Sequence, residues 1–174
     1  QAKCITYSDK IPHTAKPLNI PLLLNDEDRA KNLVKLKVGE EFNVASSYFG
    51  AKILSASNEH YAPASTALSP YGPINMFDGL ESARSRTPGH FDQVIIKLSK
   101  KAKIHRYEFN FAYFVNNNPK EISLFGFDGN EWHVIFDHYP VKRYAGNKIA
   151  LECKPQHIFE QIKIQTWPDG GLNR

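Results

Sequence analysis

A chain of 174 residues with 41% hydrophobic and 23% charged content has the size and mix of one globular domain carrying a short extension, which argues against two full domains. Its formal charge of +4 comes from lysines spread along the chain rather than from a basic tract, so nucleic acid is disfavoured as a partner while small acidic ligands stay open. The longest apolar run, residues 20–24, is too short to cross a bilayer, and Pro12, Pro17 and Pro21 interrupt any signal helix there.

Residues 1–24 are rich in Pro, Lys and Thr without a sustained period, which predicts an extended arm. Asn25 or Asp26 then stands at a cap position, acidic residues fill the first turn, and Ala30, Leu33 and Val34 recur at helical spacing. One short helix ending near Gly39 is expected, so residues 1–41 read as arm plus helix and residues 42–174 as the main domain. Cys4 and Cys153 lie too far apart in sequence, and are too few, to suggest a disulfide framework or a metal cluster; both are expected to be free thiols. There is no Asn-x-Ser/Thr acceptor, and the expected location is the cytoplasm. The first residue is Gln1 rather than Met, which suggests a trimmed or excised chain.

From Phe42 onward the pattern is one of short strands. Residues 51–56 (AKILSA) form the first, followed by a loop with Pro63, Pro70, Gly72 and Pro73. Residues 94–98 are apolar on both faces and are expected to be central. Tyr107, Phe109, Phe111 and Tyr113 alternate with polar or small residues, which predicts a strand with one aromatic core face. Asn116-Asn117-Asn118-Pro119 is a polar turn. Asp128-Gly129 then joins two β-rich runs, 121–127 and 131–137, as a hairpin in which Trp132, Val134 and Phe136 face inward. Residues 148–151 and 159–166 complete a set of about seven or eight strands, and the expected class is all-β: an antiparallel sandwich or jelly roll.

Ionisable residues crowd one loop, DGLESARSRTPGHFDQVIIKL (78–98), where Glu81, Arg84, Arg86, His90 and Asp92 surround Pro88 and Gly89 just before the apolar strand. An arginine fork suits a carboxylate, and Glu, Asp or His can move a proton if a pocket tunes it. Glu59, His60 and Tyr61, at the end of the first strand, could form a second wall. With His90 and Asp92 they leave room for a divalent metal, without the tight spacing of a dedicated site. Near the C-terminus, TWPDGGLNR places Asp169 and Arg174 around a Pro-Asp-Gly-Gly turn where the backbone can approach a ligand closely. His133, His138 and His157 are scattered in sequence and carry no assigned role. There is no phosphate-binding glycine loop and no nucleophile elbow.

Four blocks, taken in order, resemble the allantoicase repeat: GAKILSASNEHYAPA (50–64), DGLESARSRTPGHFDQVIIKL (78–98), FVNNNPKEISL (114–124) and HIFEQIKIQTWPDGGLNR (157–174). The family pattern Asp-Gly-Trp-Glu-Thr-x-Arg is met by Gly79, Glu81 and Arg84, and departed from at Leu80 and Ser82. The resemblance implies a jelly-roll β-sandwich similar to galactose-binding modules. It also implies hydrolysis of allantoate, a small anionic ureido substrate, to ureidoglycolate and urea in purine-nitrogen salvage. An arginine from among Arg84, Arg86 and Arg174 would then anchor the carboxylate, with Glu59 and Asp169 as further substrate contacts. Glu81, His90 and Asp92 would handle protons. Family enzymes carry two tandem copies of the repeat where this sequence has one, so a homo-oligomer or a part of a larger chain is expected. The rival expectations are a non-catalytic ligand- or sugar-binding sandwich and a repeat that has lost activity.

Overall fold

The computed structural model describes residues 43–142 and 148–174; the expected arm and helix, and Cys4, lie outside the described residues. Among the described residues no helix is long and apolar enough to cross a membrane. Strands dominate: β1 (Lys52–Ala56), β2 (Leu80–Glu81), β3 (Asp92–Ala102), β4 (Arg106–Asn110), β5 (Glu121–Phe127), β6 (Trp132–Pro140), β7 (Lys148–Glu152), β8 (Phe159–Trp167) and β9 (Gly171–Leu172), with three short 3-10 turns before and after β1. A five-stranded antiparallel sheet runs in the order β1-β3-β8-β5-β6, and the pairs β2-β9 and β4-β7 form two smaller ladders. This is the jelly-roll β-sandwich that the strand pattern predicts.

Period-two alternation places the core. On the five-stranded sheet Val94, Ile96, Leu98, Ile122, Leu124, Ile162 and Ile164 share one face, and they meet Tyr107, Phe109 and Leu151 of β4-β7 and Leu80 and Leu172 of β2-β9 in one buried cluster. Removing such side chains from water contributes about 1.5–3 kcal/mol each. β3 is internal, as expected, but only Val94, Ile96 and Leu98 turn inward; Ile95 is half-buried and Lys97 exposed on the other face.

Two aromatic assignments change. β4 ends at Asn110, whose Oδ1 accepts from the Ala112 N–H at 2.9 Å while the Phe114 N–H donates to the Phe111 carbonyl at 3.1 Å. That local turn ends the alternation. Phe111 and Phe114 enter the core, whereas Tyr113, with φ of 71°, is half exposed. In β6 the register shifts so that Leu124 faces Phe136 and Phe125, the next residue, faces Val134. The bulge puts Phe136 on the inner face and turns Val134 out to 62% exposure. Trp132 also lies outside, where Lys163 sits over its ring. The hairpin itself is as expected: Asp128 Oδ1 accepts from the N–H groups of Asn130 and Glu131, and Gly129 takes φ of 106°.

Candidate functional site

Antiparallel pairing of β2 with β9 sets Glu81 opposite Gly171, which brings the loop after β2 against the turn before β9. Three contacts fasten them. The Gly170 N–H donates to Ser82 Oγ at 3.1 Å, the Ser85 N–H to Asp169 Oδ2 at 2.8 Å, and the Gly171 N–H to the Asn117 carbonyl at 2.7 Å. The third contact draws in the turn between β4 and β5. This packing tolerates no side chain at Gly170, where a Cβ would lie 2.5 Å from the Pro119 nitrogen, and Gly170 also holds φ of 134°.

Where the three loops meet they leave an open cavity of about 490 Å³, walled by Arg84, Ser85, Asn117, Asn118, Lys120 and Asp169 among others. Arg84 and Lys120 are exposed, and neither is paired with an acid among the described residues. The one carboxylate in the wall, Asp169, is half-buried and held by the Ser85 N–H. Behind the wall Glu81 is buried, and its Oε1 accepts from Asn117 Nδ2. Two free cations over an amide-lined floor favour a small anion that also carries hydrogen-bonding groups.

Of the residues singled out in the sequence, Arg84 and Asp169 line this cavity and Glu81 reaches it through Asn117. The others do not line it. Arg86 is exposed elsewhere on the loop. Glu59 accepts from the Ala64 N–H at 2.7 Å and so caps the 3-10 turn Ala64–Leu68. Asp92 is buried and faces a void of about 20 Å³ with Ser82, Thr166 and Gly170, accepting from Ser57 Oγ at 2.9 Å. His90 Nε2 lies 3.6 Å from Asp92 Oδ1, and both that nitrogen and Asp92 Oδ2 are buried without a hydrogen-bond partner among the described residues. No metal-ligand set forms from Glu59, His60, His90 and Asp92 among the described residues.

Arg174 is the largest departure. Its guanidinium donates to Asp78 Oδ2 at 2.7 Å, to the Tyr71 carbonyl at 2.6 Å and to the Asp78 carbonyl, and so ties the 71–78 loop to the end of the chain. A carboxylate ligand would have to displace all three. We expect Arg174→Lys, which keeps the charge but loses the fork, to lower stability by about 1–3 kcal/mol in denaturant unfolding. Any ligand affinity per folded molecule should be unchanged, and a variant of parental stability with weakened binding would reverse this assignment. Asn117, Asn118 and Lys120 were legible in sequence only as a polar turn; the cue available was three consecutive asparagines, more amide groups than a turn requires.

Comparison with known proteins gives a consistent picture. The family model described as "Allantoicase repeat" matches residues 42–174. A Pseudomonas syringae pv. syringae protein named "Probable allantoicase" is 28% identical over 152 residues, which cover 80% of this chain and 46% of that protein. A Burkholderia mallei protein named "Probable allantoicase 2" is 30% identical over 148 residues, 78% of this chain and 44% of that one. The chain thus spans less than half the length of these curated relatives. In three dimensions it matches the allantoicase of Saccharomyces cerevisiae with a TM-score of 0.72 at 27% identity, covering 76% of this chain and 41% of that one. A family 32 carbohydrate-binding module of Streptococcus pneumoniae EndoD shares the fold, with a TM-score of 0.56 at 13% identity over 76% of this chain and 95% of that module. With the repeat model matched along the whole sandwich, this chain belongs to the allantoicase family.

Proposed function

We propose that the chain supplies one repeat of an allantoicase-type hydrolase, acting on allantoate in the cavity between the β2, β4-β5 and β8-β9 loops. The observation that carries this reading is Arg84, a guanidinium with no acidic partner among the described residues, opening onto a cavity of about 490 Å³ beside Lys120. Allantoate bears a carboxylate and two ureido groups on one carbon. Arg84 grips the carboxylate as a fork, Lys120 adds positive charge, and the amides of Asn117 and Asn118 hold a ureido arm. Hydrolysis breaks one C–N bond: water gives its oxygen to the carbon, and a proton goes to the departing urea nitrogen. Asp169, the carboxylate in the wall, takes the water proton, and Glu81 steadies the floor through Asn117. His90 and Asp92 have no part in this scheme because neither lines the cavity.

The direct experiment is urea release from allantoate by the purified chain. It should be run over a range of protein concentrations so that pairing of copies, which would restore a two-repeat assembly, is sampled. Turnover is expected, and its absence at every concentration would defeat the proposal. A second reading, a glycan-binding module, is favoured by Phe91 and Trp167, whose rings lie 4.5 Å apart with Phe91 37% exposed. Glycan binding insensitive to Arg84 substitution, in a chain that leaves allantoate intact, would select it.

A further inference from the structure

At the far end of the five-stranded sheet from the cavity, three residues distant in sequence come together. β5 and β8 fix the geometry. Glu121 pairs with Trp167 beside the cavity loops, and Phe127 pairs with Gln161 at the other end, about 20 Å away at ordinary strand rise. Beyond Phe127, Asp128 opens the β5-β6 hairpin, His133 lies near the start of β6, and His157 stands just before β8. One ligand atom from each of Asp128, His133 and His157 lies within 4.8 Å of the others, and all three residues are half-buried.

We propose that Asp128, His133 and His157 form a binding site for a divalent transition metal of the zinc class, separate from the allantoate cavity. Two imidazoles and one carboxylate are the donor set that such an ion prefers, with solvent completing a tetrahedron at bond lengths of about 2.0–2.2 Å. The carboxylate is already prepared. Asp128 Oδ1 accepts the N–H groups of Asn130 and Glu131 at 2.8 and 3.0 Å, which turns Oδ2 toward the histidines, 2.8 Å from His133 Nε2.

The histidines are already side by side. Their rings stack at 3.8 Å with an interplanar angle of 19°, and His157 makes no hydrogen bond to any described residue, so its nitrogens are open to an ion. Only one of the two imidazoles, that of His133, reaches Asp128, and His157 stacks on it with no hydrogen bond of its own among the described residues. A metal engages both rings, replacing the single hydrogen bond with three ligand bonds. Phe159, buried below the pair with its ring centroid about 6 Å from each, forms an apolar wall on one side. Closing the triangle requires donor atoms up to 4.8 Å apart to approach to about 3.4 Å and the stacked rings to tilt so that their in-plane lone pairs converge, movements that side-chain rotation supplies.

The test is titration of the untagged full chain with Zn²⁺, followed by calorimetry, and with Co²⁺, followed by its visible absorption. One equivalent of Zn²⁺ is expected to bind and raise the melting temperature, and Co²⁺ should give the intense visible bands of a four-coordinate site. His157→Ala and His133→Asn should each weaken Zn²⁺ by on the order of 100-fold or more while far-UV circular dichroism stays parental. Should His133→Asn misfold, His157→Ala in its loop decides alone. Ca²⁺ should not compete. No Zn²⁺ binding by the parent, or undiminished binding by folded His157→Ala, would overturn the site. Urea release from allantoate should be unaltered by His157→Ala, which separates this proposal from that for the cavity.

Discussion

Gly171→Ala is expected to cost about 3 kcal/mol or more of folding stability, an unusually large effect for one methyl group. A Cβ on Gly171 would lie 2.1 Å from the ring of Phe114, which is itself only 1% exposed and cannot swing away into solvent. The backbone cannot retreat either: the Gly171 N–H is bonded to Asn117 and the residue is paired with Glu81 in β2. Strain at this point therefore reaches all three cavity loops together. Urea unfolding followed by circular dichroism gives the measurement, and Gly72→Ala is the control, since nothing lies within 4 Å of a Cβ there. That control should stay within about 0.5 kcal/mol of the parent. A Gly171→Ala midpoint equal to the parent's would mean that Phe114 does not occupy the place described.

The second large effect falls on activity. On the proposed function, Arg84→Ala should reduce kcat/KM for allantoate by roughly 10²- to 10³-fold, because that reading gives the carboxylate two charge-assisted hydrogen bonds from Arg84 at about 1.5–2 kcal/mol each. Stability should hardly move, since Arg84 is exposed and ion-pairs with no described residue. Arg84→Lys should fall in between, keeping the charge and losing the fork. Arg86→Ala, two residues away and outside the cavity, should retain activity within about threefold. If Arg86→Ala were as damaged as Arg84→Ala, the substrate would have to sit elsewhere on the loop.

These expectations show where the sequence was informative. Alternation with period two is a local signal, so Ile162 and Ile164, set between Gln161, Lys163 and Gln165, mark a core face in the sequence itself, whereas residues 94–98 read as apolar on both faces and only the sheet shows which of them turn inward. The Asp128-Gly129 hairpin was equally clear, because its φ requirement is met by the residues themselves. Bulges are not written locally: nothing in the run Trp132-His133-Val134-Ile135-Phe136 marks the extra residue that turns Val134 outward. The site was half legible. The 78–98 loop gave Arg84 and Glu81 because charge density on a loop is visible in one dimension. Asn117 and Lys120 reach the same cavity only through pairing of β8 with β5, a relation between distant segments. Arg174 reads as a ligand anchor in one dimension because its acidic partner, Asp78, lies nearly a hundred positions earlier in the chain. The spacing of His133 and His157 likewise carries no trace of their stacking, which joins β6 to the loop before β8.

The position of β8 between β3 and β5, with β9 completing a second ladder on β2, bears on how the protein is born. During synthesis β3 and β5 emerge first and remain without the neighbour that joins them, their apolar faces open to chaperones or to one another. Native closure must wait until Phe159–Trp167 and the residues after it have left the ribosome. Pausing translation ahead of that stretch should leave a nascent chain as protease-sensitive as an unfolded one, and emergence of residues 159–172 should confer resistance in a single step.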